Sequence, residues 1–314
     1  MQHASESIIG VVVVNYGSTA LLKHNLAGLI GAPNCRVVVV DNFSGEVERD
    51  RVAELCRDNG WISVLLDNNA GFGAGVNAGL AAARRVGADA YLLINPDAEI
   101  DAATLSALHD HVREHPLDLV APKITRPDGA NWSQGFGVDL RSGRMRSRPG
   151  LLNLTPAEAP WLTGTCLALS SELLDRIEGM PDGYFLYWED VDFSMRVRRA
   201  GGRLSVRNDL TAIHDEGGTQ RDTRSRTRPL SNRYYYYNCR NRLLFATNHL
   251  GRRARWSWML RTPRQSWLIL LRGGRRQLIR SPDSLGAAVA GSVVGLSIAA
   301  RSMITTSRVA DIPH

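Results

Sequence analysis

The sequence has few of the residues that cross-link a fold or bind zinc. Its 314 residues include four cysteines, and no two of them form a CxxC pair. This wide spacing argues against a zinc site and against a disulfide framework, so we expect a reducing compartment. The N-terminus also lacks a basic segment before its first apolar run, and we therefore expect no cleaved signal sequence. The cysteines are Cys35, Cys56, Cys166 and Cys239.

Apolar runs long enough to cross a membrane are also lacking. The segment 285–300, which is rich in small residues, is shorter than the roughly 20 residues that span a bilayer. We expect this segment to form an amphipathic helix or to pack in a helical bundle. A re-entrant segment that dips into the membrane is the alternative.

Acidic residues are nearly absent from the C-terminal quarter of the chain. Residues 240–314 hold 13 arginines and two acids, which gives this region a net charge of +11, while the rest of the chain carries −4. A near-neutral body with a basic tail that contains tryptophan indicates binding to an anionic membrane surface, and not to nucleic acid. Interleaved arginine and tryptophan are typical of interfacial helices, although a solvated basic bundle packed on the body is the alternative.

The first half of the chain alternates short apolar runs with stretches of helical character. This alternation predicts a parallel, doubly wound α/β sheet. Ligands of such sheets bind at the carboxyl ends of the strands, and each of these runs is followed by polar residues, among them Asn15, Asp41, Asn69 and Asn95. The predicted strands are residues 8–14, 35–41, 61–67 and 90–96.

Two of these strand ends have the chemistry to bind a nucleotide. Asp41 is a carboxylate that can accept the imide N–H of a uracil or thymine base, although it can also cap the following turn. The glycine-rich segment 68–77 lets the backbone approach a nucleotide closely. Residues 73–78 also match the dinucleotide fingerprint, but this match follows the third strand and not the first, so it is weak.

A third strand end has the chemistry to bind a metal ion. Asp97 follows the fourth strand, where an acid can hold a divalent cation against phosphate groups. Magnesium sites often use one or two protein carboxylates together with substrate phosphates, so this single acid suffices. The alternative is that Asp97 caps the helix that begins near Asp101.

Three acids are concentrated in the segment 188–192, behind an aromatic run. A carboxylate among aromatic side chains tends to have a raised pKa, which suits a general base, whereas acids at a helix N-terminus are also favoured by the helix dipole. His214 is isolated in sequence, so its importance depends on whether it lies near Asp97 and Asp190 in the fold.

Six motifs in this order resemble family 2 glycosyltransferases of the GT-A fold, and in particular the bacterial rhamnosyltransferase-like branch. The resemblance covers residues 8 to about 245, and its motifs are VVVVNYG, VVVVDNFS, NNAGFGAGVNAG, LLINPDAE, WLTGTCLAL and YWEDVDFSMRVRRAGG. It implies a doubly wound mixed sheet in a catalytic domain over 1–232, with a nucleotide-sugar half over about 1–115 and an acceptor half over about 116–232. A helical, membrane-associating region would follow over 233–314.

The resemblance also implies residue roles. Asn95-Pro96-Asp97 takes the place of the family's DxD motif, so Asn95 keeps the ribose contact but one negative charge is lost. Asp190 would be the catalytic base and Glu189 a supporting or acceptor-hydroxyl contact. Asp97 and His214 would hold Mg²⁺ or Mn²⁺. The base would contact Asn15 and Asp41, the nucleotide pocket would include Asn69, Gly71 and Asn77, and the acceptor side would include Trp161, Thr163, Gly164 and Trp188.

These roles imply an inverting transfer of a sugar, with L-rhamnose from dTDP-rhamnose the favoured donor. The acceptor would be a hydroxyl of a glycan carried on a lipid, of the polyprenyl type, in the synthesis of cell-envelope polysaccharide. We expect a cytoplasmic protein bound peripherally to the inner face of the plasma membrane. One alternative is a nucleotide-dependent oxidoreductase or nucleotidyltransferase on a similar sheet. Another is a basic nucleic-acid-binding protein, which the net negative charge of the body and the cluster Trp188-Glu189-Asp190 disfavour.

Overall fold

The computed structural model of the chain describes residues 7–147, 151, 154–215, 230–274 and 281–309. The stretch 215–232 is polar and charged, which predicts mobility, and it falls mostly outside these residues. The strands are β1 (Ile9–Asn15), β2 (Cys35–Asp41), β3 (Ile62–Leu65), β4 (Ala90–Ile94), β5 (Ala98–Glu99), β6 (Asp118–Thr125), β7 (Asn131–Ser133), β8 (Phe136–Asp139), β9 (Met145–Ser147), β10 (Glu158–Trp161), β11 (Cys166–Ser170) and β12 (Arg203–His214).

The helices follow the strands of the first half and then dominate the C-terminal region. They are α1 (Thr19–Asn25), α2 (Glu46–Asn59), α3 (Phe72–Arg85), α4 (Ala102–Glu114), α5 (Ser171–Ile177), α6 (Glu189–Arg199), α7 (Asn232–His249), α8 (Arg252–Leu260), α9 (Thr262–Leu270) and α10 (Asp283–Val309). Short 3₁₀ turns occur at Ala27–Leu29 and Leu271–Gly273.

One mixed sheet organises the described part of the chain. Its strand order is β3-β2-β1-β4-β11-β6-β12-β5, and β7 also pairs with β6. The first four strands are parallel, as their sequence predicts, and β1 and β4 are buried along their whole length because helices cover both faces. Strand β11 enters antiparallel between β4 and β6, so the sheet as a whole is mixed.

Glycines let helix α3 lie close to the sheet. A Cβ atom at Gly75 would stand 2.8 Å from the side chain of Val14, and one at Gly79 would collide with Val12. The weak dinucleotide-type match over residues 73–78 is therefore explained by packing of a helix against β1. This packing also brings the N-terminus of α3 to the carboxyl ends of β1 and β2.

The C-terminal helices pack onto the body and share a core with it. Trp258 of α8 is fully buried. It belongs to the same core cluster as Val138 of β8, Phe245 of α7 and Trp188, which precedes α6. The side chain of Trp258 also donates a hydrogen bond from Nε1 to the carbonyl of Leu140 at 2.7 Å. A core is therefore shared across residues 232 and 233, and the C-terminal helices also have a smaller core of their own that includes Tyr235 and Ile269. The predicted domain boundary stays a prediction.

Helix α10 is longer than its apolar run. The stretch Asp283–Ile304 is long and apolar enough to cross a membrane by length and composition, since 22 residues of helix extend about 33 Å. The expectation that the segment is too short was wrong, because the helix continues past the apolar run at both ends. Its prediction as part of a bundle is confirmed: Gly291 and Gly295 lie so close to the α7 backbone at Tyr236 and Arg240 that a side chain there would collide or be crowded.

Candidate active site

A cavity of about 530 Å³ opens where the carboxyl end of β4 meets the start of α6. The volume lies within the range of roughly 300–1,000 Å³ that is usual for small-molecule sites. The cavity brings together residues that are up to 200 positions apart in sequence, from Phe72 to Arg272. Eight of the residues predicted for the site line it: Asn95, Trp161, Thr163, Gly164, Trp188, Glu189, Asp190 and His214.

Asn15 and Asp41 end two neighbouring parallel strands and are both fully buried. The side-chain carbonyl of Asn15 accepts a hydrogen bond from the backbone N–H of Ser18 at 3.0 Å. Burial raises the pKa of Asp41, while the backbone N–H of Phe43 and the side chain of Asn15 partly oppose this rise. A buried carboxylate of this kind is an acceptor that a ligand N–H can satisfy.

The glycine-rich loop before α3 is held in shape by two asparagines. The Asn42 side chain donates to the carbonyl of Gly71 at 3.1 Å and accepts from Ala70 N–H at 3.0 Å. The Asn69 side chain accepts from Gly71 N–H at 3.0 Å. Gly71 has φ +91°, and a Cβ atom there would stand 2.6 Å from the carbonyl oxygen of Phe185, so only glycine fits.

The side chain of Asn77 is occupied by contacts with the backbone. Its Oδ1 accepts from Met180 N–H at 2.8 Å, and its Nδ2 donates to the Met180 carbonyl at 3.1 Å. Asn77 therefore ties α3 to the loop that leads to α6. Contact of Asn77 with a nucleotide stays a prediction, and the structure adds a positioning function that the sequence did not reveal.

Asp97 and His214 lie side by side, as their predicted common function requires. Nε2 of His214 is 3.2 Å from Oδ1 of Asp97. The pair forms because β12 and β5 are antiparallel neighbours, which sets His214 opposite Ala98. Both side chains are largely buried, and the ring of Trp132 packs edge-on against His214. In the described part of the chain, no group of three or more His, Cys, Asp and Glu residues is placed to hold a metal ion.

Asp190 lies in the first turn of α6 and lines the cavity. Its carboxylate accepts hydrogen bonds from the backbone N–H of Val191 at 2.8 Å and of Gly164 at 3.3 Å. Burial raises the pKa of Asp190, and these two N–H groups limit the rise. The carboxylate is thus held in one orientation with a pKa above the ordinary aspartate range, as a general base requires.

The other two acids of this segment differ in their surroundings. Glu189 is 7% exposed, and burial together with the neighbouring Asp190 raises its pKa. Asp192 is buried behind the cavity wall, where it accepts from the hydroxyl of Tyr184 at 2.7 Å and from Asn248 at 3.2 Å. Asp192 also lies 2.8 Å from His249, so it joins α6 to α7.

The backbone just before α6 is strained and is held by the C-terminal region. Tyr187 and Trp188 have φ values of +66° and +75°, a conformation that costs about 1–3 kcal/mol for each bulky residue. Asn241 of α7 is fully buried and donates to the carbonyls of Leu186 and Tyr187 at 2.9 and 2.8 Å. The resemblance includes this part of α7, but the function of Asn241 appears only when the two segments meet in the fold.

Among the described residues, four buried polar atoms without partners belong to residues that line the cavity. Nε1 of Trp161, Nε1 of Trp188, Oε2 of Glu189 and Nδ1 of His214 have no hydrogen-bond partner in the described part of the chain. Most buried polar groups in proteins are paired, so these four atoms are candidates for contact with a ligand in the cavity. Sequence reasoning missed other lining residues, among them Trp132, Phe136, Met145 and Arg272, because they come from separate segments.

The sequence matches a family of transferases. The model of the family described as Glycosyl transferase family 2 matches residues 10–177, which is more than half of the chain. The chain is 25% identical over 242 residues to the low-salt glycan biosynthesis hexosyltransferase Agl10 of Haloferax volcanii, covering 75% of this chain and 74% of that protein. It is 27% identical over 219 residues to an N-acetylglucosaminyl-diphospho-decaprenol L-rhamnosyltransferase of Mycobacterium tuberculosis, covering 62% and 71%.

Solved structures share the fold. S. aureus TarS in complex with UDP-GlcNAc matches with a TM-score of 0.52 at 20% identity, over 86% of this chain and 72% of that one. The mannosyltransferase PcManGT from Pyrobaculum calidifontis, in complex with GDP-Man and Mn²⁺, matches with a TM-score of 0.51 at 14% identity, over 92% and 86%. These likenesses show a GT-A fold. The chain belongs to glycosyl transferase family 2, and it is a glycosyltransferase.

Proposed function

We propose that the protein transfers one sugar from a nucleoside-diphosphate donor to a hydroxyl acceptor, with inversion at the anomeric carbon. The observation that carries this proposal is the position of Asp190. Its carboxylate is oriented by two backbone N–H groups, has a raised pKa and lines the same cavity as Asn95 and His214. A base at one part of the cavity, and at another part His214 with Asp97 beside it as potential cation ligands, fit a single displacement.

The strand ends of β1 and β2 suit the nucleotide base. The carboxylate of Asp41 can accept the imide N–H of thymine or uracil, and Asn15 next to it can read a base carbonyl through its amide. We infer L-rhamnose from dTDP-rhamnose as the donor. In support, two relatives are named as rhamnosyl transferases, that of M. tuberculosis and the dTDP-rhamnosyl transferase RfbF of Shigella flexneri, to which the chain is 20% identical.

Asp97 and His214 fit a divalent cation. They offer an oxygen and a nitrogen 3.2 Å apart, and two adjacent ligands of an octahedral ion, each about 2.1 Å from it, lie about 3 Å apart. Mg²⁺ and Mn²⁺ accept such ligands and take the remaining ones from water and phosphate. When bound, the cation supplies positive charge that stabilises the departing diphosphate. The mannosyltransferase that shares the fold was solved with Mn²⁺, which is consistent with this assignment.

Asp190 takes the proton of the acceptor hydroxyl as its oxygen forms a bond to the anomeric carbon. The bond from that carbon to the diphosphate oxygen breaks, and its electron pair leaves with the nucleoside diphosphate. Because attack and departure occur on opposite faces, the anomeric configuration inverts. The N–H groups of Gly164 and Val191 keep the carboxylate of Asp190 aimed throughout, and Glu189 contacts the acceptor or supports the base.

The surface of the C-terminal region supports a membrane-bound acceptor. Large apolar side chains are exposed there on α8, α9 and α10, with Leu260 76% exposed and Trp256 and Trp267 about half exposed. Basic charge is concentrated in the same region, and the combination is typical of proteins on anionic lipid surfaces. We infer a peripheral position at the cytoplasmic face of the membrane and an acceptor glycan on a lipid carrier, as in cell-envelope polysaccharide synthesis.

Helix α10 fits a peripheral position better than a spanning one. One of its faces lies against α7 at Gly291 and Gly295, while Val289 and Val293 are exposed on another. If α10 crossed the bilayer, these contacts with α7 would have to break, and α7 would lose a helix that covers it. The exposed face can instead lie in the lipid headgroup layer.

The experiment is a panel of nucleotide sugars incubated with the purified protein, Mg²⁺ or Mn²⁺ and membrane extract, with release of nucleoside diphosphate as the readout. We expect one donor to be used well above the others, and dTDP-L-rhamnose to be that donor. The variant Asp190→Asn is the matched control for enzyme-dependent release. Use of no nucleotide sugar would contradict the proposed reaction, and preference for another donor would contradict the rhamnose assignment alone.

A further inference from the structure

A second, smaller cavity adjoins the catalytic one. Its volume is about 200 Å³, and it shares Met145, Trp188, Asn238 and Arg272 with the larger cavity. This volume is below the roughly 300–1,000 Å³ of a typical small-molecule site, so it suits a compact group and not a second nucleotide sugar. The two cavities together form a path that begins at Asp190 and ends between α9 and the turn that joins β8 to β9.

Arg144 reaches this cavity from a turn that the C-terminal region holds in place. Arg242 of α7 is buried and donates to the carbonyl of Ser142 at 3.2 Å, and Trp258 donates to Leu140. At Gly143, where φ is +71°, a side chain would stand 2.7 Å from Arg242. The turn is therefore fixed against α7 and α8, and this sets the position of Arg144 beside the cavity.

Arg272 reaches the same cavity from the end of α9. One of its guanidinium nitrogens donates to the hydroxyl of Tyr234 at 3.0 Å, and the ring of Tyr234 packs edge-on against Tyr187. Tyr187 precedes Glu189 and Asp190 of α6 by two and three residues. Arg272 is thus positioned by a tyrosine that contacts the strained segment before the catalytic helix.

The smaller cavity carries positive charge that no nearby acid balances. Its described lining includes Arg144 and Arg272 but no Asp or Glu, and neither arginine forms an ion pair within 4 Å of a described carboxylate. Arginine pairs that converge on one space are well suited to phosphate, because each guanidinium can donate two parallel hydrogen bonds to it.

The rest of the lining indicates which substrate a phosphate at this position would belong to. Gln265, Leu268 and Ile269 of α9 face the cavity, and Trp267 of the same helix is half exposed on the surface. The donor's nucleotide is assigned to the strand ends of β1 and β2, and its diphosphate to Asp97 and His214, none of which lines the smaller cavity. A compact anion here, with an apolar helix beside it, therefore belongs to the other substrate.

We propose that Arg144 and Arg272 bind the phosphate or diphosphate group of the acceptor, so that its sugar hydroxyl reaches Asp190 while its lipid extends along α9. This rests on the proposed function, and it adds the substrate class: acceptors that carry an anionic phosphate ester next to the glycan. By binding the phosphate, the two arginines fix how far the acceptor sugar enters the larger cavity, and so they select acceptors by the distance between phosphate and reacting hydroxyl.

The test uses geranyl diphosphate as a probe of the acceptor's anionic end, with geraniol as its neutral counterpart. Binding to the full-length protein is measured by calorimetry in the presence of saturating dTDP and Mg²⁺, which occupy the donor site. We expect Arg144→Gln and Arg272→Gln each to weaken geranyl diphosphate binding about tenfold or more, since each removes charge-assisted hydrogen bonds. Geraniol binding should not change, and dTDP affinity should remain that of the wild type.

Arg264→Gln is the matched control, because Arg264 is exposed on α9 but does not line either cavity. It removes the same charge from the helix that leads to Arg272 and should leave geranyl diphosphate binding unchanged. Arg144 and Arg272 are both exposed, so melting temperatures of all three variants should match that of the wild type. Equal loss of binding in Arg264→Gln, or unchanged binding in the other two variants, would overturn the subsite.

Two further outcomes separate this anion from other sources. If Arg272→Gln weakens dTDP binding as much as geranyl diphosphate binding, the arginine serves the donor and the proposal fails. If the double variant loses binding to phosphatidylglycerol vesicles in the same proportion, the arginines bind bulk headgroups and the proposal also fails. Neither readout uses sugar transfer, so failure of the proposed reaction, seen as no use of any nucleotide sugar, is distinguished from failure of the subsite.

Discussion

The two sides of the catalytic cavity are built in different ways. The strand-end side, Asn15, Asp41, Asn95 and Asp97, consists of residues at or just after the ends of buried parallel strands, and of these four Asn95 lines the cavity itself. The C-terminal side, Tyr187, Trp188, Tyr234, Asn238 and Arg272, is assembled from two loops and from α7. The first side obtains its geometry from the sheet, whereas the second obtains it from packing between distant segments. Substitutions on the two sides should therefore impair different steps of the reaction.

Asp190→Asn is expected to have the largest effect. The amide is nearly the same size as the carboxylate but cannot take a proton, and loss of a general base commonly costs about 10²–10⁴-fold in rate. Donor binding should remain, because Asp190 belongs to neither group of donor contacts. Single-turnover rates and a donor titration on the same protein measure the two quantities. Turnover close to that of the wild type would remove Asp190 from the mechanism.

Asp97→Ala and His214→Ala test the strand-end side. Each should raise the cation concentration needed for half-maximal activity by at least about 10–100-fold, the range measured for supporting residues around metals. Because the two side chains are 3.2 Å apart, the double variant should lose less than the sum of the single losses in free energy. Additive losses, or full activity in EDTA, would separate these residues from a shared cation.

Trp256→Ser combined with Trp267→Ser tests the membrane contact of the C-terminal side. Both tryptophans are about half exposed, so the fold should tolerate the change, whereas removal of residues from Arg252 onward would remove buried Trp258 from the core. Loss of two interfacial aromatic side chains should reduce vesicle binding about tenfold and leave donor binding intact. Co-sedimentation with anionic and neutral vesicles at low and high salt measures this. Unchanged sedimentation would favour the alternative of a solvated bundle.

Asn77→Ala and Asn241→Ala form a matched pair, one on each side. Both side chains hold the loop before α6 through two backbone hydrogen bonds, Asn77 at Met180 and Asn241 at Leu186 and Tyr187. Each change leaves buried backbone groups unpaired, at a cost of about 1–3 kcal/mol. We expect Asn77→Ala mainly to raise the donor KM and Asn241→Ala mainly to lower kcat or raise the acceptor KM. Identical kinetic defects would contradict the division into two sides.

Glu189→Gln should have the smallest effect, and one that depends on pH. Burial and Asp190 raise the pKa of Glu189 above its ordinary value of 4.5. A carboxyl with a higher pKa in the folded state stabilises the fold below its unfolded-state pKa, and this contribution is lost as the pH rises through the folded-state pKa. The melting temperature of the variant should therefore be about 2 °C or more above that of the wild type at alkaline pH. In acid the two melting temperatures should be the same. A constant difference across pH would refute this.

The difference between the two sides also explains what the sequence could predict. Asn15, Asp41 and Asp97 were predicted because a polar residue after a buried strand is visible locally and the sheet dictates where strand ends meet. The pairing of Asp97 with His214 came from the resemblance, since it depends on β12 lying antiparallel to β5. Arg144 and Arg272 carry no local signal, because their positions depend on how α7 and α9 pack on the body. Asn241 lies within the resemblance, but its contacts with Leu186 and Tyr187 also depend on that packing.

The central claim is a single displacement in which Asp190 deprotonates the acceptor opposite the leaving diphosphate. The most direct test is proton NMR of the product formed from one nucleotide sugar of known anomeric configuration by the full-length protein. The account predicts that the transferred sugar has the opposite configuration from the first turnover onward. Retention of configuration would contradict the account, because it requires two displacements or attack from the face that the diphosphate leaves.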